Sequence, residues 1–433
     1  MLKYKGLMAL FLNIIFYILT FLAIYVQVFF LVTFFENRKK IVIRTKDIEL
    51  EHYPSVTIIV PCYNEENTVG NTINSLSALN YPKDKLNIIV VDNASKDGTW
   101  DVLQNYTDNP QIKIFQEIKV GKHNALNKGL ENITTDFVGC LDADSTVHPE
   151  ALKRIMTYFS NPKTMAVAPS IVVNNPKNLI QYAQRAEYDM AHYNKKMLAF
   201  LGGIHVTPGP FSIFRKEVFE QIGIYKKAHH TEDQEIALRM QKNGLQIDHA
   251  PDAYVYTNSP SSVPKLYRQR VRWIYGFIRN ALDYRELFFK PKYGSIGIFT
   301  LPSGFISVIG TIFLLLFSFV QLYTVIARKI LQTQAVGFHI INGKVFSFDF
   351  FTLDSRTFVF VSIMLYILVI IGLLNGRRMI HGRKKYIWWD IPVFIIIYMF
   401  IAPIWLLKAV WNAVTSKEAS WAKERDYLIK SNN

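Results

Sequence analysis

Cysteine is nearly absent from this 433-residue sequence, in which Cys62 and Cys140 are the two that occur. Two cysteines cannot build a disulfide framework, and their spacing is not that of a metal-binding cysteine pair. Glycine-rich phosphate-binding motifs are missing as well, both the G-x-G-x-x-G type and the G-x-x-x-x-G-K-S/T type. These absences exclude a dinucleotide dehydrogenase and a P-loop ATPase.

Acidic residues are few relative to basic ones, 34 against 49, which gives a formal net charge of +15. Such a charge suits nucleic-acid binding, attraction of anionic substrates, or the cytosolic loops of a membrane protein. The basic clusters flank long apolar stretches, and the sequence contains no basic–aromatic motif for reading nucleic acid. The membrane explanation is therefore favoured, and no nucleic-acid partner is expected.

Four apolar stretches carry no charged residue, namely residues 7–35, 293–327, 357–376 and 391–407. Since a membrane-spanning helix needs about 20 apolar residues, the sequence predicts a multi-pass membrane protein with the lipid bilayer as a partner. The basic run Arg38-Lys39-Lys40 follows the first stretch, which places the residues after it in the cytosol. The alternative, core helices of a large soluble protein, leaves the basic flanks unexplained.

Between the first two stretches, β-branched apolar runs alternate with amphipathic helical patterns. This alternation is typical of an α/β fold with a mostly parallel central sheet. Proline cannot donate to a β-ladder, so Pro61 is expected to halt the first strand. Strands are expected at residues 56–60, 86–91, 112–115 and 136–141.

Polar and acidic groups directly follow three of these strands: 61–65 the first, Asp92 the second, and Asp142 with Asp144 the fourth. In an open α/β sheet, ligands bind beyond the carboxyl ends of the strands. Asp142 and Asp144 are hard oxygen ligands that suit Mg²⁺ or Mn²⁺, which would stabilise a nucleoside diphosphate leaving group. The alternative is an acidic pair in a surface turn, and the nearby Asp92 favours the metal interpretation.

A second acidic cluster, Thr231-Glu232-Asp233, precedes a predicted amphipathic helix at residues 234–242. Thr231 or Asp233 could cap that helix. Asp233 could also remove a proton from an acceptor hydroxyl, and the two roles are compatible.

The segment that begins at Pro264 is amphipathic and cationic, which is typical of a helix on a membrane surface. It contains Gln269, Arg272 and Trp273 in the spacing Q-x-x-R-W. Arg272 could clamp a diphosphate, and Trp273 could stack on a sugar ring.

These motifs, in this order, resemble the family 2 glycosyltransferases with a GT-A fold. The likeness is to the processive membrane synthases of cellulose, chitin, hyaluronan and poly-N-acetylglucosamine. It covers residues 56–276 and rests on four short motifs, which are Val91-Asp92-Asn93, Asp142-Ala143-Asp144, Thr231-Glu232-Asp233 and Gln269-x-x-Arg272-Trp273. The resemblance implies an inverting enzyme that moves a sugar from a UDP-sugar onto a growing β-linked polysaccharide. Overall likeness favours UDP-N-acetylglucosamine as the donor.

The resemblance also implies a role for each matching residue. Asp233 is the catalytic base, and Asp142 and Asp144 hold the divalent metal, with Asp144 the more direct ligand. The donor-binding residues implied are Pro61, Tyr63, Glu65, Asp92, Lys122, Asp142, Asp144 and Arg272. The acceptor-side residues implied are Glu232, Gln269, Trp273 and Gly209, the last within a loop at 203–210. His205 in the same loop is interpreted as structural.

The expected organisation has five parts. Residues 1–36 form an N-terminal anchor and residues 53–262 a cytosolic GT-A domain. Residues 263–292 form an interfacial segment with the Q-x-x-R-W motif, residues 293–412 about three spans, and residues 413–433 a basic tail. One anchor precedes the domain where several relatives have two, and the membrane part is small for a secretion channel. An export or accessory membrane subunit is therefore a candidate partner, beside a glycan or lipid-linked acceptor.

Other functions remain open at this point. A non-processive enzyme would move one sugar to a membrane lipid carrier, whereas the Q-x-x-R-W segment favours polymerisation. A transporter would carry ionisable residues inside its spans, and the first three apolar stretches have none. A catalytically dead scaffold would have lost part of the acidic set, which is complete here.

Overall fold

The computed structural model describes residues 2–41, 49–336, 353–381 and 388–415. The chain divides into two compact units, one formed by Met1–Val32 and Ser303–Gly372, the other by Thr33–Pro302 and Leu373–Asn433. The predicted basic tail lies almost entirely outside the described residues.

The secondary structure alternates strands and helices between two helical ends. The strands are β1 (Val56–Cys62), β2 (Leu86–Asp92), β3 (Ile112–Gln116), β4 (Phe137–Cys140), β5 (Ser145–Val147), β6 (Thr164–Val173), β7 (Ile213–Arg215) and β8 (Gln246–Thr257). The helices are α1 (Leu2–Asn37), α2 (Val69–Ser77), α3 (Thr99–Gln104), α4 (Lys122–Leu130), α5 (Ala151–Met156), α6 (Leu179–Phe200), α7 (Glu217–Ile222), α8 (Glu232–Lys242), α9 (Val263–Asp283), α10 (Leu301–Val336), α11 (Leu353–His381) and α12 (Asp390–Val414).

All eight strands form one mixed sheet in the order β3-β2-β1-β4-β7-β6-β8-β5. Parallel pairing joins β1 to β2 and to β4, β2 to β3, and β6 to β8. The short strand β7 runs antiparallel between β4 and β6, and β5 pairs antiparallel with β8. The prediction of an α/β fold with a mostly parallel sheet is confirmed.

The prediction that Pro61 halts the first strand is wrong, because β1 continues to Cys62. Pairing between β1 and β4 ends where Ile59 faces Cys140, while pairing with β2 continues to Cys62 opposite Asp92. Residues alternate sides along a strand, so the nitrogen of Pro61 faces the side where the ladder has already ended. Its missing N–H therefore costs no hydrogen bond.

The central strands are buried on both faces, which explains their continuous apolar runs. Every residue of β1 is buried, and helices α2 and α4 cover the sheet. Glycine is needed at Gly129 and Gly139, since a Cβ there would lie 2.5 Å and 2.3 Å from isoleucine side chains. Both cysteines, Cys62 and Cys140, are buried.

Within the described ranges, four helical segments are long and apolar enough to cross a membrane, which indicates a membrane protein. They are Leu10–Lys40, Ile296–Val320, Phe360–Ile380 and Asp390–Val414. Within the first unit, α1 packs on α10, where the rings of Phe16 and Phe317 stack at 5.3 Å. Within the second unit, α12 packs along α6 and α9.

Buried ion pairs join the helices of the second unit. Arg377 near the end of α11 donates to Asp189 of α6 at 2.7 Å, and to both oxygens of Asp390 at 3.0 and 2.8 Å. Arg185 of α6 also donates to Asp390, at 2.7 Å. Arg377, Asp189 and Asp390, together with Arg185, are named here the Arg377 cluster.

Candidate active site

Three neighbouring strand ends meet at one cavity, as the positions of the motifs predict. In the sheet, β1 lies between β2 and β4, so the carboxyl ends of these three parallel strands are adjacent. Pro61 near the end of β1 and Tyr63 after it, Asn93 after β2, and Asp142 and Asp144 after β4 all line a cavity of about 690 Å³. The topology therefore gathers polar groups that are far apart in sequence.

The cavity combines predicted and unpredicted residues. Of the predicted site residues, those that line it are Pro61, Tyr63, Lys122, Asp142, Asp144, Glu232, Gln269 and Arg272. Polar and basic residues that sequence reasoning missed also line it, namely Asn93, His123, Lys226, Lys227, His230, Lys265 and Arg268. The excess of basic groups over carboxylates makes the cavity suited to an anionic ligand.

Lys122 forms the centre of the ionic contacts in the cavity. Its Nζ lies 2.6 Å from Oδ1 of Asp142 and 3.1 Å from Oε1 of Glu232. Burial acts to lower the pKa of Lys122, but the charges of Asp142 and Glu232 outweigh it and raise the pKa well above its ordinary value. Lys122, Asp142, Glu232 and the adjacent Asp144 and Asp233 are named here the Lys122 cluster.

Local backbone geometry sets the position of Lys122. It is the first residue of α4 and follows Gly121, whose φ of 143° is one that glycine adopts readily. The buried side chain of Asn93 accepts a hydrogen bond from the N–H of Gly121 at 2.6 Å and donates to the carbonyls of Glu117 and Lys119. Asn93 therefore fixes the loop that delivers Lys122 to the cavity.

Gly209 lies against the same ion pair, which explains why a glycine occurs in this loop. A Cβ at this position would lie 2.8 Å from Nζ of Lys122 and 3.2 Å from Oδ1 of Asp142. Gly209 is therefore next to the cavity without being among the residues that line it. Its carbonyl also accepts a hydrogen bond from the Cys140 thiol at 2.9 Å.

Asp142 and Asp144 have the environment of a cation site. Burial and the neighbouring charge of Asp142 raise the pKa of Asp144 to about 6. Two like charges this close disfavour each other's ionisation, and a bound divalent cation would relieve the repulsion. No group of three or more His, Cys, Asp or Glu residues in the described ranges is arranged to hold a metal ion, so a cation at Asp142 and Asp144 would take its other ligands from water and substrate.

Asp233 lies in the first turn of α8, beside the cavity-lining Glu232. Burial and the charge of Glu232 raise the pKa of Asp233 to about 6, while Lys122 acts to lower it. Backbone bonds hold it in place, because the N–H and the hydroxyl of Thr207 both donate to the Asp233 carbonyl, at 3.2 and 3.1 Å. Asp233 is not itself among the residues that line the cavity, although its neighbour Glu232 is. A buried carboxylate with a raised pKa is suited to general-base chemistry.

The alternative prediction, that Thr231 or Asp233 caps helix α8, is supported only in part. Thr231 occupies the N-cap position of α8, but its hydroxyl donates to the carbonyl of Ala228 and accepts from Asn280. It makes no capping hydrogen bond to the helix. Oδ1 of Asp233 accepts from the N–H of Gln234 at 3.0 Å, so Asp233 contributes to the helix start.

Helix α9 packs directly on the start of α8 and thereby completes the site. A Cβ at Gly276 would lie 2.1 Å from the Thr231 hydroxyl, so the two backbones approach closely. Asn280, one turn further, donates to the Thr231 hydroxyl at 2.8 Å. Gln269 and Arg272 of α9 lie on the cavity wall. Burial acts to raise the pKa values of Glu232 and Asp233, and the charge of Arg272 acts in the opposite direction on both, so that the pKa of Glu232 is lowered overall with the help of Lys122 while that of Asp233 stays raised.

Half of the missed basic residues, Lys226, Lys227 and His230, come from the loop before α8. Tyr225 at its start is held on both sides of its backbone by Asn127, with two hydrogen bonds of 2.9 Å. His229 and His230 at its end have φ values of 48° and 63°. Such left-handed conformations are uncommon in non-glycine residues and often occur near functional sites. The run Lys226-Lys227 next to the acidic cluster was the sequence signal for this loop.

Several predicted site residues lie outside the cavity lining. Asp92 is buried, and its Oδ1 has no hydrogen-bond partner among the described residues. Glu65 is also buried and accepts a hydrogen bond from Thr68 at 2.5 Å. The indole of Trp273 packs under the guanidinium of Arg270, 4.3 Å from its ring centre.

The interpretation of His205 as structural agrees with its packing. Its ring meets Phe277 of α9 edge-on, with ring centres 5.9 Å apart. Burial and the nearby Lys195 charge lower the pKa of His205 to about 4. A histidine that stays neutral at ordinary pH and packs on an aromatic ring serves the core rather than proton transfer.

Comparison with known proteins agrees with this geometry. Residues 57–223 match the family described as Glycosyl transferase family 2. The curated poly-beta-1,6-N-acetyl-D-glucosamine synthase of Staphylococcus epidermidis is 28% identical over 270 residues, which cover 60% of this chain and 65% of the relative. The enzyme of the same name from Staphylococcus aureus MSSA476 is 29% identical over 234 residues, covering 53% of this chain and 56% of the relative. The match therefore spans somewhat less than two thirds of each relative.

A solved structure shares the fold across nearly the whole chain. The mannosyltransferase PcManGT from Pyrobaculum calidifontis, in complex with GDP-Man and Mn2+, superposes with a TM-score of 0.58 at 18% identity. The likeness covers 92% of this chain and 100% of that one. The chain therefore contains a family 2 glycosyltransferase domain at residues 57–223 and resembles the staphylococcal poly-beta-1,6-N-acetyl-D-glucosamine synthases.

Proposed function

We propose that this protein is an inverting glycosyltransferase that moves N-acetylglucosamine from UDP-N-acetylglucosamine onto a growing β-linked polysaccharide. The observation that carries the proposal is the Lys122 cluster, in which one lysine contacts Asp142 and Glu232, each adjacent to a further aspartate, at a cavity lined by other basic groups. The cavity opens at the carboxyl ends of parallel strands, where α/β folds bind their ligands. The names of the staphylococcal relatives support N-acetylglucosamine as the sugar.

The donor nucleotide has a suitable place on the β1–β2 side of the cavity. Tyr63 provides an aromatic side chain for the base, and Oδ1 of Asp92 is a buried acceptor with no partner in the described part of the chain. A uracil N–H is a donor that such an oxygen would accept. The diphosphate belongs on the basic side, near Arg272 and the Lys226-Lys227 loop.

Asp142 and Asp144 are the residues that would hold a divalent cation. Their mutual repulsion fits such an ion, and Mg²⁺ or Mn²⁺ commonly binds through one or two carboxylates, waters and substrate phosphates. The bound ion would supply positive charge to the leaving diphosphate. The Mn2+ in the complex of the archaeal mannosyltransferase supports a divalent ion without fixing which one.

The transfer itself needs a base on the acceptor side, a role that we assign to Asp233. The acceptor hydroxyl oxygen attacks the anomeric carbon while the bond from that carbon to the diphosphate oxygen breaks. Asp233 takes the hydroxyl proton, and the diphosphate leaves toward Arg272. One displacement inverts the anomeric configuration. Glu232 stays ionised because Lys122 and Arg272 lower its pKa, although burial acts to raise it.

The site belongs on the cytosolic face of a cell membrane. The basic run after α1 supports this orientation, and α9 packs on α12, which is apolar enough to span a bilayer. In this arrangement residues 53–262 form the cytosolic catalytic domain and residues 263–292 the interfacial segment. Residues 293–412 supply the C-terminal spans.

A panel of UDP-sugars tests the proposal. Membranes containing the protein are incubated with each UDP-sugar and Mg²⁺ or Mn²⁺, and the UDP released is measured beside membranes that carry Asp233→Asn. UDP release that is fastest with UDP-N-acetylglucosamine supports the donor assignment, whereas no release with any sugar contradicts the function. Product length on a gel then tests processivity, because a lipid that carries a single sugar would contradict the polymerase assignment.

A further inference from the structure

Arg270 joins three helices behind the acceptor side of the cavity. It lies on α9, is 3% exposed, and forms an ion pair with Oε2 of Glu187 on α6. The hydroxyl of Tyr398 on α12 donates to the same carboxylate oxygen at 2.5 Å. Arg270 is thus held by partners on both neighbouring helices, which limits the rotamers it can adopt.

The same guanidinium contacts the two side chains that flank Arg272 in the Q-x-x-R-W segment. Nη1 of Arg270 donates to Oε1 of Gln269 at 3.1 Å, and the guanidinium carbon lies 4.3 Å from the ring centre of Trp273. Both contacts require the planar guanidinium group of arginine. Its flat face stacks on the aromatic ring, while the N–H groups at its edge donate hydrogen bonds.

The contact with Arg270 fixes which end of the Gln269 amide is available to a ligand. A guanidinium has donors only, so the amide oxygen must point toward Arg270. The amide nitrogen is then the end of Gln269 that can serve the cavity, where Gln269 is a lining residue. Gln269 therefore offers N–H donors, which bind a hydroxyl, carbonyl or phosphate oxygen.

We propose that Arg270 is a positioning residue that sets the donor orientation of Gln269 and the plane of Trp273, and that Glu187 and Tyr398 hold it for this task. The proposal rests on the proposed glycosyl transfer and assigns Gln269 an oxygen atom of the acceptor sugar as ligand. Because Tyr398 lies on α12, the alignment of the acceptor depends on a contact from a candidate membrane helix.

Arg270→Lys is the decisive variant, because lysine keeps the positive charge beside Glu187 and loses the planar fork. Misplacing a reacting group by about 1 Å commonly costs about 100-fold in rate. We expect the kcat for sugar transfer to fall about 10- to 100-fold, with the donor KM within about twofold of wild type. UDP released without sugar transfer should rise relative to transfer, since the donor still binds and the acceptor is misaligned.

Two further variants separate positioning from general stability. Arg154→Lys is the matched control, because Arg154 is also buried and stacks on Tyr254, but lies on α5 outside the cavity lining. It should leave the ratio of UDP release to transfer unchanged. Tyr398→Phe removes one hydrogen bond from Glu187 and should change the ratio in the same direction as Arg270→Lys, by less.

The outcomes distinguish this inference from the function on which it rests. If wild-type protein turns over and Arg270→Lys keeps the wild-type kcat and ratio, the positioning role is refuted. It is refuted as well if Arg270→Lys merely lowers kcat in proportion to the folded fraction, as a structural ion pair would. If wild-type protein releases no UDP from any UDP-sugar, the proposed function fails first and the inference falls with it.

Discussion

Two ionic clusters in the same compact unit differ in how their charges are balanced. In the Arg377 cluster, the carboxylate of Asp390 is fully buried and receives hydrogen bonds from two arginines, Arg377 and Arg185. In the Lys122 cluster, one ammonium contacts both Asp142 and Glu232, and their neighbours Asp144 and Asp233 have pKa values raised to about 6. Cations match carboxylates in the first cluster, and carboxylates exceed the contacting cation in the second.

This difference separates a structural role from a functional one. A buried ion pair persists when each charge is met by well-placed partners, and removing one partner is strongly destabilising. Carboxylates held close together without matching cations are costly, and a protein keeps them where a ligand or a proton transfer needs them. The Arg377 cluster therefore joins helices, whereas the charge imbalance of the Lys122 cluster is what we propose a cation and a substrate would relieve.

The largest effect is expected from Asp233→Asn, which keeps the shape of the side chain and removes the base. We expect sugar transfer to fall about 10²- to 10⁴-fold, the usual contribution of a general base. Donor affinity should persist, which UDP binding measured by calorimetry on the purified protein would check.

Asp101→Asn is the control for this change. Asp101 is exposed in the first turn of α3 and outside the cavity lining, so its loss should leave transfer within about twofold. Turnover in Asp233→Asn that equals the control would refute the base assignment.

Arg377→Met is expected to disrupt the Arg377 cluster and to destabilise the protein. It leaves the buried carboxylate of Asp189 without its arginine and that of Asp390 with Arg185 alone, which costs about 3–5 kcal/mol of stability. The Tm in detergent should fall markedly, while the donor KM of the protein that remains folded should not change. A raised donor KM at unchanged Tm would assign this cluster to the site instead.

Lys122→Met is expected to affect both activity and stability. It removes the cation from Asp142 and Glu232, and because these groups are partly exposed to solvent the cost should be about 1–3 kcal/mol. Adding Glu232→Gln to this variant removes one uncompensated charge and should recover part of the Tm. A double variant less stable than Lys122→Met alone would contradict the charge imbalance described above.

The smallest effect concerns the pH dependence of transfer. Because burial and Glu232 raise the pKa of Asp233 to about 6, the ionised base is present above that pH and lost below it. The kcat should therefore fall as the pH drops through about 6. Glu232→Gln removes one of the charges that raise this pKa, so the acid limb of the kcat profile should move to lower pH. An acid limb that moves to higher pH in Glu232→Gln would contradict the assignment of Asp233 as the base.

Four of the eight described strands, β1 to β4, could be predicted from the sequence, as could the residues of the acidic cluster, whereas β5 to β8 were not predicted. Continuous apolar runs that end in Asp92, Asp142 or Pro61 marked the strands and the edge where ligands bind, because strand periodicity and turn residues are local signals. The strand β7 could not be predicted, because three residues carry no periodic pattern. The continuation of β1 through Pro61 could not be predicted either, because it depends on which of the two neighbouring strands has already ended at that position.

The contacts within the site could not be predicted from the sequence for a different reason. Lys122 meets Asp142 and Glu232 across 20 and 110 residues, and only the folded chain brings these side chains together. Arg270 is similar, because its sequence neighbours predict an amphipathic surface helix, whereas its buried partners Glu187 and Tyr398 come from other helices. Tertiary packing, rather than local pattern, decides such contacts.

The most direct test of the central claim, that the Lys122 cluster is the transfer site, is a cryo-EM structure of the protein with UDP-N-acetylglucosamine and Mg²⁺. We expect the uracil beside Tyr63 and Asp92, and the diphosphate between Asp144 and Arg272. The anomeric carbon should face the side of the cavity that holds Asp233. A nucleotide bound away from this cavity, or one whose sugar points away from Asp233, would contradict the account.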